Sequence, residues 1–260
     1  MGISDEELKK KVISAYLETA FGRANKKKLR YKTSDVLSLF FDLGWEVQTV
    51  TERNYRYEDM SSYQKYLLIL EHKDMGYQEE GKVNVVIRDS NDRPNSLEIF
   101  YGFFRFAGHN QLLFRNSDSE YQQRISPNDK PDSKFVKDRV AEIHFGFNEF
   151  LDDIRFLKSK ILTMDQIIEF ANQALRYRFR TNRVEFERDM LRNLLTIYRN
   201  EDNEYSAWNV LNRVQDAISK KLAVYPSKRN SLRYREVEPI YEIDRRITLN
   251  CELWNFAKEI

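Results

Sequence analysis

The sequence predicts an α+β fold, with an antiparallel sheet in the N-terminal half packed with amphipathic helices and a helical C-terminal half. Three observations predict it. Between residues 45 and 117 the apolar segments are short, rich in β-branched and aromatic residues, and separated by Gly, Pro and Asn. After residue 117 the apolar spacing changes from two to three and four. Strands come first and helices after, without the alternation that builds a parallel sheet. At 260 residues and 41% hydrophobic content, the chain has enough apolar material for a sizeable core.

Residues 5–20, "DEELKKKVISAYLETA", place Leu8, Val12, Ala15 and Tyr16 on one helical face, with acids in the first turn. In "TSDVLSLFFDLG" Thr33 or Ser34 is the expected cap, Val36, Leu37, Phe40 and Phe41 form the stripe, and Gly44 ends the helix. Strands are expected at 45–53, 65–72, 82–89 and 96–107, with a short one at 111–114. Residues 117–134, "SDSEYQQRISPNDKPDSK", read as a polar surface loop. Residues 134–160 then read as one amphipathic helix, with Val136, Val140, Ile143, Phe147, Leu151, Ile154 and Leu157 at helical spacing. A helix capped by Thr163 follows, then helices at 183–199 and 204–222. In the last of these, Asn209, Asn212, Arg213 and Asp216 fall opposite the apolar stripe. A basic loop, 223–235, leads to a closing helix ending "LNCELWNFAKEI". The expected organisation is a helix-plus-sheet part, 1–117, and a helical part, 118–260, joined as one integrated domain.

No run of 18 apolar residues occurs, so no membrane span is expected. The charged start "MGISDEELKK" lacks the apolar region of a secretory signal. Cys251 is the only cysteine, which suits a reducing interior, and the expected location is the cytoplasm of a host cell. One Cys and three scattered His make no zinc spacing, and neither a metal nor a cofactor is expected. No phosphate-cradling glycine loop is present.

The stretch "NSLEIFYGFFRFAGHNQLLFRNS", 95–117, is apolar in both of its alternating sets. Leu97, Ile99, Tyr101, Phe103 and Arg105 share one face, and Phe100, Gly102, Phe104 and Phe106 the other. A central strand covered on both sides is the favoured reading, with at least one of Phe100 and Phe104 buried. Gly102 marks a bulge or a close backbone approach. The functional alternative makes Tyr101, Phe103 and Arg105, with His109, an open platform for stacking bases.

"VVIRDSNDRPNSLEIFYGFFRFAGHNQLLF" resembles the signature of a phage- and plasmid-related family, domain of unknown function 932. Members typically read Arg-Asn-Ser-His-Asp-Gly, an apolar strand, then a Cys-x-Asn-Gly turn. Arg88, Ser90, Asp92 and Asn110 sit at matching positions. "RYKTSDVLSLFFDLGWEVQTVTERNYR" is similar to the family's opening helix and Gly-Trp strand. "EDNEYSAWNVLNRVQDAI" is similar to its Trp-x-x-x-Asn segment, through Trp208 and Asn212. "RITLNCELWNFA" is similar to its closing segment, through Asn250 and Trp254. The resemblance covers most of residues 30–257. It departs at Asn91 and Arg93, where the family has His and Gly, and at Gly108 and Gln111, where it has Cys and Gly. A mechanism needing that Cys and His is therefore disfavoured. The resemblance implies a mobile-element setting near recombination and antirestriction functions, and supplies no biochemical activity.

The net charge is only +2, but two windows hold basic groups and no acid. Lys26, Lys27, Lys28, Arg30 and Lys32 flank Tyr31. Lys220, Lys221, Lys228, Arg229, Arg233 and Arg235 flank Tyr225 and Tyr234. Basic groups neutralise phosphates and interleaved tyrosines stack on unpaired bases, so these residues, with Tyr234, are the candidate nucleic-acid contacts. Solvated loops are the bland alternative. The arginines of "LRYRFRTNR" are spread around a helix axis and need not form one patch. Cys251 reads as structural, and Glu201, Asp202 and Glu204 read as helix-start acids rather than metal ligands. The reading is a non-enzymatic protein that binds nucleic acid, single-stranded DNA by preference, in recombination, annealing or replication; a homo-oligomer is compatible with annealing. Its rivals are an antagonist of a host defence protein and, more weakly, a metal-dependent nuclease.

Overall fold

The structure is a computed structural model that describes residues 2–17, 32–52, 65–79, 81–90, 96–106, 111–114, 122–126, 129–130, 132–180, 188–197, 203–220, 224–227, 230–236 and 238–260. The chain divides into two compact units, Met1–Phe150 and Leu151–Ile260.

In the first unit, helix α1 (Asp5–Lys11) is capped by the Ser4 hydroxyl, which accepts from the Glu7 amide at 3.3 Å. It is shorter than the expected 5–20. Val12 leaves helical geometry at φ −137°, and a 3-10 turn, Ile13–Tyr16, follows. The β-branched pair Val12–Ile13 is a poor continuation of a helix. Helix α2 (Thr33–Asp42) ends at Gly44, which takes φ +86°. Its N-cap is Lys32, not Thr33 or Ser34. Thr33 lies inside the helix because its hydroxyl is spent on Asp89 at 2.6 Å.

The sheet comprises β1 (Trp45–Glu52), β2 (Lys65–His72), β3 (Tyr77–Gln78), β4 (Gly81–Ser90), β5 (Leu97–Arg105), β6 (Gln111–Phe114) and β7 (Gln122–Ile125). Its order is β1-β2-β4-β5-β6, with β3 on β4 and β7 on β5, and every pairing is antiparallel. β6 pairs Tyr101–Phe104 and β7 pairs Leu97–Phe100, so two short strands share the outer edge of β5 end to end. β7 lies where a polar loop was expected. Its Gln122, Gln123 and Ile125 are buried, because β5 needs a partner along its first half. That pairing also carries the first unit past residue 117, and the division falls inside the long helix α3 (Lys134–Ser159).

One sheet face is apolar and forms the core. Register puts Val83, Val85 and Ile87 across from Phe103, Tyr101 and Ile99. Phe40 of α2 meets Trp45 edge-on at 6.5 Å. From α3, Phe150 stacks on Tyr101 at 5.2 Å, and the Tyr101 hydroxyl donates to the Ile143 carbonyl at 2.6 Å. The opposite face is less apolar than its sequence suggests. There Lys82 reaches Glu71 at 3.1 Å, Asn84 donates to Glu71 at 3.2 Å, and Arg88 pairs with Glu98 at 3.7 Å. Lys82, Asn84, Arg88 and Glu98 are all buried. Gly102 lies opposite Asn84. A Cβ there would meet Val86 Cγ2 at 3.0 Å and the Leu112 carbonyl at 3.1 Å, so this is a close approach rather than a bulge.

Three polar pins join helices to the apolar face. The Asp89 carboxylate accepts from Thr33 at 2.6 Å, from Tyr66 at 3.3 Å, and from the Ser90 amide at 2.8 Å. Tyr101 holds α3 as above. The third pin is a histidine pair. Trp45 Nε1 donates to His144 Nδ1 at 3.2 Å. His72 donates from Nε2 to the Leu43 carbonyl at 2.8 Å and accepts at Nδ1 from the Asp74 amide at 3.1 Å. Its ring lies 5.9 Å from that of His144.

The second unit contains α4 (Met164–Phe179), α5 (Arg188–Leu195), α6 (Ala207–Ser219), the hairpin β8 (Val224–Ser227) and β9 (Asn230–Glu236), and α7 (Ile243–Glu259). Thr163 caps α4 as expected. α6 is the central helix: Asn209, Asn212 and Arg213, expected opposite the apolar stripe, are buried along with it. The expected loop 223–235 contains the hairpin, with Tyr225 opposite Arg235 and Pro226 opposite Tyr234. α6 and α7 run antiparallel. The Lys160 carbonyl takes the Ala207 amide at 2.8 Å while its ammonium takes the Lys258 carbonyl at 2.9 Å, and at the other end Ile240 donates to Ser219 at 3.3 Å.

Phe100 is fully buried and Phe104 only partly. Phe100→Ala is therefore expected to cost about 3–5 kcal/mol in urea denaturation, and Phe104→Ala clearly less. Burial, and then His72, hold His144 below the usual imidazole range. The unfolded chain then binds more protons than the folded one between that lowered value and about 6.5, so stability falls as pH drops through this window. The melting temperature should decline below about pH 6.5, less steeply in His144→Gln. That comparison separates His144 from Glu52 and Glu252, whose carboxyls burial pushes up and which act in the opposite sense.

Candidate functional site

The second basic window begins where α6 ends. Lys220 is exposed at the α6 C-cap and ion-paired with Asp216. Arg233, Tyr234 and Arg235 follow in β9. The hairpin is a separate two-stranded sheet, and no other described strand joins it. Lys221, Lys228 and Arg229 lie outside the described residues, as do Lys26, Lys27, Lys28 and Arg30 of the first window. Lys32 is half-buried at the start of α2. The two windows belong to different units.

The base of the hairpin is tied twice. Ser219 accepts from Ile240, and the Arg178 guanidinium donates to the Glu238 carbonyl. Arg178 stands in the last turn of α4 and is 3% exposed, with no hydrogen-bond partner for its Nε. Arg245, in the first turn of α7, donates to the Arg178 carbonyl at 2.9 Å. Burial, and then Arg245, pull the Arg178 guanidinium down to about 10. The negative end of a helix favours a cation by about 0.3–1 kcal/mol, rarely about 2. Taking a guanidinium out of water without a counter-charge costs several kcal/mol. The helix end alone therefore does not explain this burial. In sequence, the arginines of "LRYRFRTNR" looked merely spread around an axis; Arg176 does turn away, to Glu169 at 3.2 Å.

The proposed stacking platform is not open. Tyr101, Phe103 and Arg105 are at most 1% exposed, because α3 and the neighbouring strands cover that face. They present no ring to a base, which corrects the platform reading. Arg88 and Ser90 are buried at the end of β4. Between them stands Asp89, which the sequence reading passed over and which accepts from Thr33, Tyr66 and the Ser90 amide. Its only signal was an acid inside an apolar strand. Asp92 and Asn110, with His109, lie outside the described residues.

The other signature residues meet in the second unit. Trp208 and Trp254 pack edge-to-face at 6.5 Å, each four residues from an Asn on its own helix. Asn212 donates to the Trp208 carbonyl at 2.8 Å. Asn250 is 2% exposed, and its side-chain oxygen has no partner. All four residues are buried, so they build the α6–α7 interface rather than a surface. Cys251 is half-buried in α7, Glu204 is exposed before α6, and Glu201 and Asp202 lie outside the described residues. No described cluster of three or more His, Cys, Asp or Glu is placed to hold a metal, and no described helix is long and apolar enough to cross a membrane. A cleft of about 460 Å³ in the first unit is lined by Ile3, Asp5, Phe41, Trp45, Glu46 and Lys73 among others.

A family model described as "Domain of unknown function (DUF932)" matches residues 29–254. No solved structure matches the chain. With most of its length covered by that model, the chain belongs to this phage- and plasmid-associated family.

A buried amide with an unmade hydrogen bond costs roughly 1–3 kcal/mol, and an apolar group of similar shape does not carry that penalty. Asn250→Leu is therefore expected to raise stability by about that amount in chemical denaturation. A loss of stability would show that the Asn250 oxygen is satisfied in solution.

Proposed function

From this family membership, we propose that the protein is a non-enzymatic nucleic-acid-binding protein of a phage or plasmid, acting on single-stranded DNA in recombination, annealing or replication. The observation that carries the reading is the β8–β9 hairpin. It carries Arg233, Tyr234 and Arg235 in one strand of a ribbon separate from the main sheet, in a window that begins just before Lys220 and holds six basic residues and no acid. Two-stranded ribbons are established nucleic-acid contact elements, and single strands are held by basic tracks interleaved with aromatic side chains. Phosphate contacts would come from the basic groups and sequence-tolerant stacking from the tyrosines. The second reading is an antagonist that binds a host defence protein. Phe145 favours it, standing 73% exposed on α3 of the first unit.

Mobility shifts with single- and double-stranded oligonucleotides over a salt series test the proposal. With about six phosphate contacts, log K should fall against log salt with a slope of roughly −4. Replacing Lys228, Arg229, Arg233 and Arg235 by Ala should flatten the slope by about 3 units. Tyr234→Ala should weaken single-strand binding by about 1–3 kcal/mol at nearly constant slope, because stacking releases no counterions. Absence of salt-dependent binding to any oligonucleotide would leave the defence-antagonist reading, to be pursued with the protein as bait in host lysate. Labelled DNA should stay intact in magnesium or manganese; cleavage that disappears in Asp202→Ala would instead establish a nuclease.

A further inference from the structure

The junction of α4 and α7 buries positive charge without an ion pair among the described residues. Arg178 is 3% exposed, spends one N–H on a backbone carbonyl, and leaves its Nε unmatched. Arg245 donates to the Arg178 carbonyl at 2.9 Å, which sets its guanidinium at the end of α4 that Arg178 occupies. Neither forms an ion pair with a described residue, although Glu238, Glu242 and Asp244 are near in sequence. Glu252, two turns further along α7, is coupled to Arg180 instead. Arg180 itself holds a left-handed conformation at φ +51°, which in a helix cap is usually left to glycine.

Two guanidinia at one helix end, one of them closed off from water, lack a counter-charge among the described residues. The forks of arginine match a tetrahedral oxyanion, which can accept N–H groups from both at once. We infer that Arg178 and Arg245 form a binding site for a phosphate-class anion in the second unit. Arg245, only half-buried, is the solvent-side member through which the anion reaches the pair. The site goes beyond the hairpin reading and does not depend on it.

Thermal melting of the full chain in inorganic phosphate, against sodium chloride of equal ionic strength, tests the site. Wild type should show a saturable rise in melting temperature that chloride does not give. Arg245→Gln keeps an N–H donor for the Arg178 carbonyl at a half-buried position and so preserves the fold; its apparent affinity for phosphate should drop at least about fivefold, the size expected from losing one charge-assisted contact. The variant lacking Lys228, Arg229, Arg233 and Arg235 should keep the full phosphate response, which separates this site from the hairpin. A second arm adds a nucleoside monophosphate or a single-stranded oligonucleotide to wild type and to Arg245→Gln. Stabilisation by the oligonucleotide that Arg245→Gln loses identifies a backbone phosphate; stabilisation only by the small molecules identifies a free one. No phosphate-specific stabilisation of wild type, or an undiminished response in Arg245→Gln, overturns the inference.

Discussion

The first unit depends on a carboxylate that never reaches water. Asp89 is fully buried, yet both of its oxygens are occupied, by two hydroxyls and one amide. A buried charge is tolerable when every lone pair it directs inward is met by a donor. Meeting that condition fixes three elements together. Tyr66 must come from β2, Thr33 must lie at the first turn of α2, and β4 must end where the Ser90 amide can turn back. Apolar packing alone would let α2 slide along the sheet. Asp89 permits one position, and the stripe of Val36, Leu37 and Phe40 then falls on the core.

The same logic shows which parts of the fold were legible in sequence. Strands β1, β2, β4, β5 and β6 and helices α3, α4 and α7 follow from period and punctuation, because burial on a regular element leaves a regular pattern. β7 did not show. "QQRI" has no apolar alternation, and it is a strand because β5 offers an unpaired edge, a demand made elsewhere in the chain. The hairpin was hidden for a similar reason: "VYPSKRNSLRYRE" is dominated by charge, and its Pro and Asn-Ser read as loop. α6 was read as two-faced because its polar residues keep helical spacing. As the central helix of its unit it has no solvent face to give them.

The candidate sites were less legible than the fold. The Trp and Asn residues that carry the family resemblance mark an interface between two helices, and Arg88 and Ser90 flank an internal anchor. A signature selected for packing looks the same in sequence as one selected for chemistry. Clustered charge is legible as composition, which is why the basic windows stood out. The Arg178–Arg245 pairing was not, since it joins residues 67 positions apart through a backbone carbonyl.

The ties at the base of the hairpin have a modular consequence. Ser219 and Ile240 are joined by a hydrogen bond of 3.3 Å, so the chain leaves the helical bundle and returns to it at nearly the same point. Everything between them is, in topological terms, an insertion whose stem is already closed. Lengthening such an excursion costs only about 0.6 kcal/mol per doubling in chain entropy. The helices α6 and α7 are thus insulated from what the excursion contains. A change of length or sequence within that excursion would leave the tryptophan-lined bundle the same.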